Sequence, residues 1–314
     1  MGTVDIRVKE FIKINSVFAQ LFGKGVFGGR VQIDPERLQE LDTVNQESIK
    51  LEAGQLKDIE RLRDAQKVSM LFDNKMAFQV VMGVEGQNGV NYFMPVRCME
   101  LDALTYSMQC RRISQDAKAC RKLKKYADGV PRGTKIVPTV TLVFYYGDTP
   151  WDGPVSIYDM LDIPDQMKEW TKNIIADYQM HLIDASHMTD EEIDKFDGDL
   201  KAFLLMLQDN FDEQRLKGVV ARHRETWYAI GTIKKDKRYI DYIDNVSDEE
   251  LAGGMYMDAV LDRIEARGEE KGENKVNTLA LLLAKEGKID EFIKSAEDKA
   301  YQKQLLIEYG LEDE

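Results

Sequence analysis

The segment 135–146, Lys-Ile-Val-Pro-Thr-Val-Thr-Leu-Val-Phe-Tyr-Tyr, constrains the fold more than any other. It is almost entirely β-branched, aromatic or aliphatic, and Gly147-Asp148-Thr149-Pro150 closes it with turn residues. A run of this length and composition reads as a strand buried on both faces, so layers of other structure must cover both sides of its sheet. Two further strands are expected at 68–72 and 77–84, folded as a hairpin about Asp73-Asn74-Lys75, and a weaker candidate at 178–183. Helical spacing occupies 11–22, through Phe11, Ile14, Phe18 and Phe22, and 94–126, through Leu101, Leu104 and Met108. A second helical pattern is expected over Leu38, Leu41, Val44, Ile49 and Leu51. The order indicates one mixed α/β core rather than separate α and β modules.

From Thr189 onward only helices are expected, around 203–211, 219–230 and 251–264. The segment Arg267-Gly268-Glu269-Glu270-Lys271-Gly272-Glu273-Asn274-Lys275 carries two helix-weakening glycines and reads as a flexible joint. An amphipathic tail through Leu279, Leu283, Phe292 and Leu305 follows, expected to pack on the body or on a second subunit. The expected division is therefore 1–185 as an α/β domain, 186–265 as an acidic helical region, and 266–314 as joint and tail.

Composition excludes several classes. No apolar run approaches the ~20 residues of a membrane span, and no secretory leader follows Met1, so a cytoplasmic location is expected. Cys98, Cys110 and Cys120 lack C-x-x-C spacing, and with only three histidines a zinc site or disulfide framework is not expected. Any metal should be held by oxygen. The net charge of -13 conceals a split, because residues 1–150 carry 22 Lys+Arg against 18 Asp+Glu while the rest carries 21 against 38. A polyanion would therefore meet the first half.

Two acids stand where strands begin and end: Asp64 at the entry of the first hairpin strand and Glu85 at the exit of the second. Alternate strand residues share a face, so Glu85 and Gln87 point the same way. If the hairpin brings Asp64 beside Glu85, one hard cation such as Mg²⁺ could sit between two carboxylates, with Gln87 orienting a water. Solvated or turn-capping acids would give the same spacing. Around the helix at 94–126, Arg111, Lys118, Lys122 and Lys125 gather on one face, a stripe suited to DNA phosphates or to solvent alone. Tyr145 and Tyr146 at a strand end could stack on a base or pack in the core. His181, His187 and His223 build no triad, and Gly83, Gly86 and Gly89 precede no Lys-Ser/Thr pair, so no nucleotide cofactor is supported.

Five pieces in order carry a family resemblance: 15–22 (NSVFAQLF), Arg61-Leu62-Arg63-Asp64, Val84-Glu85-Gly86-Gln87, Tyr92-Phe93-Met94-Pro95-Val96-Arg97, and 136–147 with Pro150-Trp151. Over about 10–165 the chain resembles the recombination-promoting nuclease/putative transposase family of the PD-(D/E)XK nuclease superfamily. That resemblance implies a restriction-endonuclease-like mixed sheet flanked by helices, followed here by the acidic helical region. It implies Mg²⁺-dependent cleavage of DNA, with Mn²⁺ as a substitute, Asp64 and Glu85 as metal ligands, Gln87 in the place of the superfamily's lysine, and an auxiliary role for Asn15. An N-cap role is the alternative for Asn15. Glutamine offers a dipole where lysine offers a charge, so Arg97 or Lys67 is a candidate helper. The partners implied are DNA and a second copy in a homodimer, with the acidic helical region open to protein contacts or folded back to restrain the nuclease. The rival reading is a non-catalytic DNA- or protein-binding member that keeps the nuclease fold.

Overall fold

A computed structural model describes residues 3–41, 44–50, 56–73, 76–119, 130, 132–208 and 212–311. The chain opens with α1 (Thr3–Lys13) and α2 (Asn15–Gln20), separated by extended Ile14 and followed by a π-turn at Leu21–Val26. Then come β1 (Gln39–Glu40), β2 (Val44–Lys50), β3 (Leu56–Leu62), β4 (Ala65–Asp73) and β5 (Met76–Gln87). Helix α3 (Met94–Ala119) leads to β6 (Thr139–Tyr145), α4 (Asp165–Thr171) and β7 (His181–Asp184). The second half holds α5 (Asp190–Ile193), α6 (Gly198–Leu207), β8 (Val220–Ala221), α7 (Arg224–Ile233), α8 (Lys237–Ile243), α9 (Asp248–Gly253) and β9 (Met255–Tyr256). It ends with α10 (Met257–Lys285), α11 (Ile289–Glu297) and α12 (Lys299–Glu308).

The main sheet has five strands in the order β1-β4-β5-β6-β7. β4 and β5 form the expected hairpin, in antiparallel register from Ala65↔Val84 to Asp73↔Met76. β6 lies parallel to both β5 and β7, which places the 135–146 run between two strands, almost wholly buried. The crossover from β5 to β6 is α3, as parallel neighbours require.

Side-chain alternation divides the sheet. Val80, Met82, Val84, Leu142, Phe144 and Tyr146 face α1, α2 and α6 in the largest core, where Phe11 stacks on Phe203 at 4.2 Å between ring centroids. Gly83, Glu85, Thr141 and Val143 face α3, and Val143 packs there with Met94, Cys98 and Met180. On the α1 face one core thus joins α1, the sheet, α6, α7 and the start of α10. Removing everything after residue 185 would uncover Phe11 and its neighbours, so residues 1–185 and the helices that follow share one core.

Three expectations are corrected. The helical pattern through Leu38 and Ile49 is instead β1 and β2, and β2 pairs with β3 as a separate antiparallel ribbon from Val44↔Leu62 to Lys50↔Leu56. Spacing on a mostly polar segment cannot reveal a partner strand six or more residues away, and β-branched Val44 and Ile49 suit the strand. The all-helical second half contains the short β8–β9 pair, with Val220 opposite Tyr256. The flexible joint at 267–275 is the middle of α10, unbroken over 29 residues. Val260 and Ile264 anchor one end of that helix in the core, Leu279 and Leu283 anchor the other against Leu305 and Leu306, and strong helix formers bridge the glycines. The tail therefore packs on α10. Among the described residues, no helix is long and apolar enough to cross a membrane.

Candidate functional site

Asp64 precedes β4 and Glu85 sits near the end of β5, so the hairpin register carries both to one end of the sheet. Asp64 Oδ2 accepts a 2.8 Å hydrogen bond from the Gly86 amide, which fixes its carboxylate beside the residue after Glu85. A Cβ at position 86 would stand 3.3 Å from Ile12 Cδ1 and 3.5 Å from that oxygen, so glycine allows both to close in. Gln87, half-buried two residues on, shares the Glu85 face.

Each carboxylate has a cation against it. Lys9 Nζ of α1 lies 2.6 Å from Asp64 Oδ1, and Arg97 Nε of α3 donates to Glu85 Oε2 at 2.9 Å. Glu85 is fully buried, and its other oxygen, Oε1, has no hydrogen-bond partner. Burial pushes the Glu85 carboxyl up to about 7; Arg97 opposes that rise and the neighbouring Asp64 charge reinforces it. Asp64 thus stands beside the residue that follows Glu85 at the same end of the sheet.

Beneath Glu85 lies a polar network that sequence reasoning missed. Buried Arg63 Nη2 donates to Asp102 Oδ1 at 2.7 Å, and Asp102 also accepts from Thr141 Oγ1 at 2.6 Å and Tyr178 Oη at 2.7 Å. Arg63 crosses the sheet over Gly83, where a Cβ would fall 2.2 Å from its Nη1. A glycine inside a strand pattern signals such an approach, so Gly83 was the available clue. Arg63 and Arg97 both lower the cost of a charge on Glu85.

Other expected residues fall elsewhere. Lys67 is directly opposite Met82 on the α1 face, away from Glu85, and its ammonium is taken by the Lys13 carbonyl at 2.6 Å and by Asn15 Oδ1. That excludes Lys67 as a helper at the phosphate and gives Asn15 a structural partner. The cap of α2 is Ile14, so Asn15 is not its N-cap. Tyr145 and Tyr146 are both buried: Tyr145 Oη donates to the Thr149 carbonyl and Tyr146 Oη to Asp5 Oδ1, leaving neither ring face for a base. Arg111 is exposed on α3. Lys118 belongs to the last turn of α3, while Lys122 and Lys125 lie outside the described residues.

Among the described residues, no three His, Cys, Asp or Glu gather as a metal cluster. Two carboxylates with one unpartnered oxygen nonetheless fit Mg²⁺, which is commonly held by one or two carboxylates with water and substrate phosphate completing the shell.

Comparison with known proteins bears on the second half of this region. Residues 114–237 match the family described as "Putative transposase, YhgA-like". The match makes this segment similar to a transposase-like family. It covers about two fifths of the chain, from the last turns of α3 through β6 and β7 to the first residue of α8. The matched segment thus contributes β6 and β7 of the main sheet and, on its α1 face, α6 and α7, while Asp64, Glu85 and Gln87 precede it. No curated protein and no solved structure matches the chain.

Proposed function

We propose that this protein is a Mg²⁺-dependent DNA endonuclease of restriction-endonuclease-like architecture, serving recombination or a mobile element. The observation that carries the proposal is the placing of Asp64 against the Gly86 amide beside a buried Glu85 whose Oε1 is unpartnered. Asp64 and Glu85 would hold the cation, which when bound polarises the phosphoryl oxygen and lowers the pKa of an attacking water. Gln87 supplies an amide that can accept from that water and orient it. Arg97 supplies the charge that glutamine lacks. Its guanidinium stands at the mouth, half-exposed, and can turn from Glu85 to the phosphate once the carboxylate has another cation. Lys9 stands in the same relation to Asp64.

Helix α3 gives the DNA a track. Arg97 and Arg111 are separated by 14 positions, which places them within about 40° around the helix and about 21 Å along it. Phosphates following this face would meet Arg97 at the site and Arg111 further out, with Lys118, Lys122 and Lys125 continuing the basic sequence.

Supercoiled plasmid incubated with Mg²⁺ or EDTA tests the proposal, comparing wild type with the Asp64→Ala, Glu85→Ala double variant. Metal-dependent nicking confined to the wild type supports it; equal cutting by both sinks the assignment. The second reading, a DNA- or protein-binding member without catalysis, is favoured by one observation: both carboxylates are already neutralised by Lys9 and Arg97. Salt-sensitive DNA affinity with no cutting in Mg²⁺ or Mn²⁺ would decide for it.

A further inference from the structure

The loop between β5 and α3 presents two aromatic rings at the mouth of the site. Phe93 is 71% exposed and Tyr92 56% exposed. Tyr92 Oη donates to the Asp152 carboxylate, whose oxygens lie at 3.0 and 3.1 Å, and the Phe93 backbone is tied by its N–H donating to Asn91 Oδ1 at 3.0 Å. The fold therefore tethers the Tyr92 ring and the backbone that carries Phe93 while leaving both rings in water.

Position decides the occupant. Phe93 begins the turn that Arg97 closes, since Arg97 N donates to the Phe93 carbonyl at 3.0 Å. Phe93 stands immediately before α3, four positions ahead of Arg97, and Arg97 reaches Glu85. Tyr92 also lines an open cleft of about 530 Å³, bordered by Asp152, Asp159 and Met160. Its charged groups are carboxylates, which repel phosphate. A nucleotide therefore has one favourable orientation: phosphate toward Arg97, base toward the rings.

Resting on the nuclease reading, we propose that Tyr92 and Phe93 form a stacking platform for an unpaired base next to the cleaved phosphate. The preferred substrate is then single-stranded or locally unpaired DNA. Stacking on an aromatic ring needs a free base face, and in an intact duplex the neighbouring bases occupy both faces.

The test uses the full chain in EDTA with an oligonucleotide carrying 2-aminopurine, single-stranded and as a duplex. Wild type should quench the single strand's fluorescence. Phe93→Ala should weaken its binding by about 5- to 150-fold while leaving the duplex within about twofold, and Phe93→Trp should restore it. Circular dichroism checks that the variants fold. Equal single-strand affinity for Phe93→Ala and wild type, equal losses on single strand and duplex, or a changed oligomeric state with unchanged single-strand affinity would each overturn the platform. Plasmid cleavage separates this inference from its basis. Metal-dependent cutting with no effect of Phe93→Ala on single-strand binding rejects the platform alone. Phe93-dependent binding without cutting in any metal keeps the platform and rejects the nuclease.

Discussion

Replacing Glu85 with glutamine should stabilise the metal-free protein while disabling it. In the unfolded chain this carboxyl loses its proton near 4.5; in the fold, burial holds the proton to about 7. Between those values the folded state binds more protons, so stability falls as pH rises through the window and stays reduced above it. At 1.36 kcal/mol per unit, the difference from 4.5 to about 7 corresponds to about 3 kcal/mol of native-state destabilisation at pH 8. The amide of the Glu85→Gln variant would keep an acceptor for Arg97 Nε and remove the charge. Urea unfolding in EDTA should therefore show this variant about 1–3 kcal/mol more stable than wild type at pH 8 and nearly equal at pH 4.5. Added Mg²⁺ should raise the wild-type midpoint and leave the variant's unchanged. A gain independent of pH, or a loss at pH 8, would refute the account of Glu85 as a buried charge kept for binding.

Three further outcomes are expected. Gly83→Ala places a Cβ 2.2 Å from Arg63 Nη1, and displacing that buried guanidinium from Asp102 should cost about 3–5 kcal/mol, read from urea unfolding. Arg97→Ala should reduce plasmid cleavage at saturating Mg²⁺ by about 100-fold or more, and Arg97→Lys should recover part of it because a charge remains; unchanged cleavage by Arg97→Ala would remove Arg97 from the reaction. Gly268→Ala with Gly272→Ala should stabilise α10 by about 1–2 kcal/mol, because neither Cβ meets another atom closer than 3.6 Å and alanine favours the helix, and a loss of helical ellipticity would contradict it.

The sequence made the sheet's middle legible because burial on both sides leaves its mark in every residue. The 135–146 run, the 68–84 hairpin and even the faint 178–183 strand all lie where expected, in β6, β4–β5 and β7. The polar ribbon β2–β3 was not legible, since its pattern depends on a partner rather than on a core. At the site, Asp64 and Glu85 could be placed because a hairpin's register is arithmetic. Lys9, Asp102 and Tyr178 could not, because α1 and α3 approach from opposite faces of the sheet and no spacing along one chain records which face a helix covers. Lys67 shows the converse: three positions from Asp64 in sequence, it lies on the α1 face and away from Glu85.

Helix α10 sets the geometry of everything after it. Between Glu269 and Thr278 it runs largely exposed, joining a base fixed in the core to the cap built from Leu279, Leu283, Leu305 and Leu306. Such a rod transmits rotation. One residue added in that stretch would turn the cap by about 100° and move it about 1.5 Å, while seven would bring it back to within about 20° of its original bearing. The bearing of the cap is thus encoded in a residue count, and a surface on it meets the sheet's surroundings at an angle that length alone can tune.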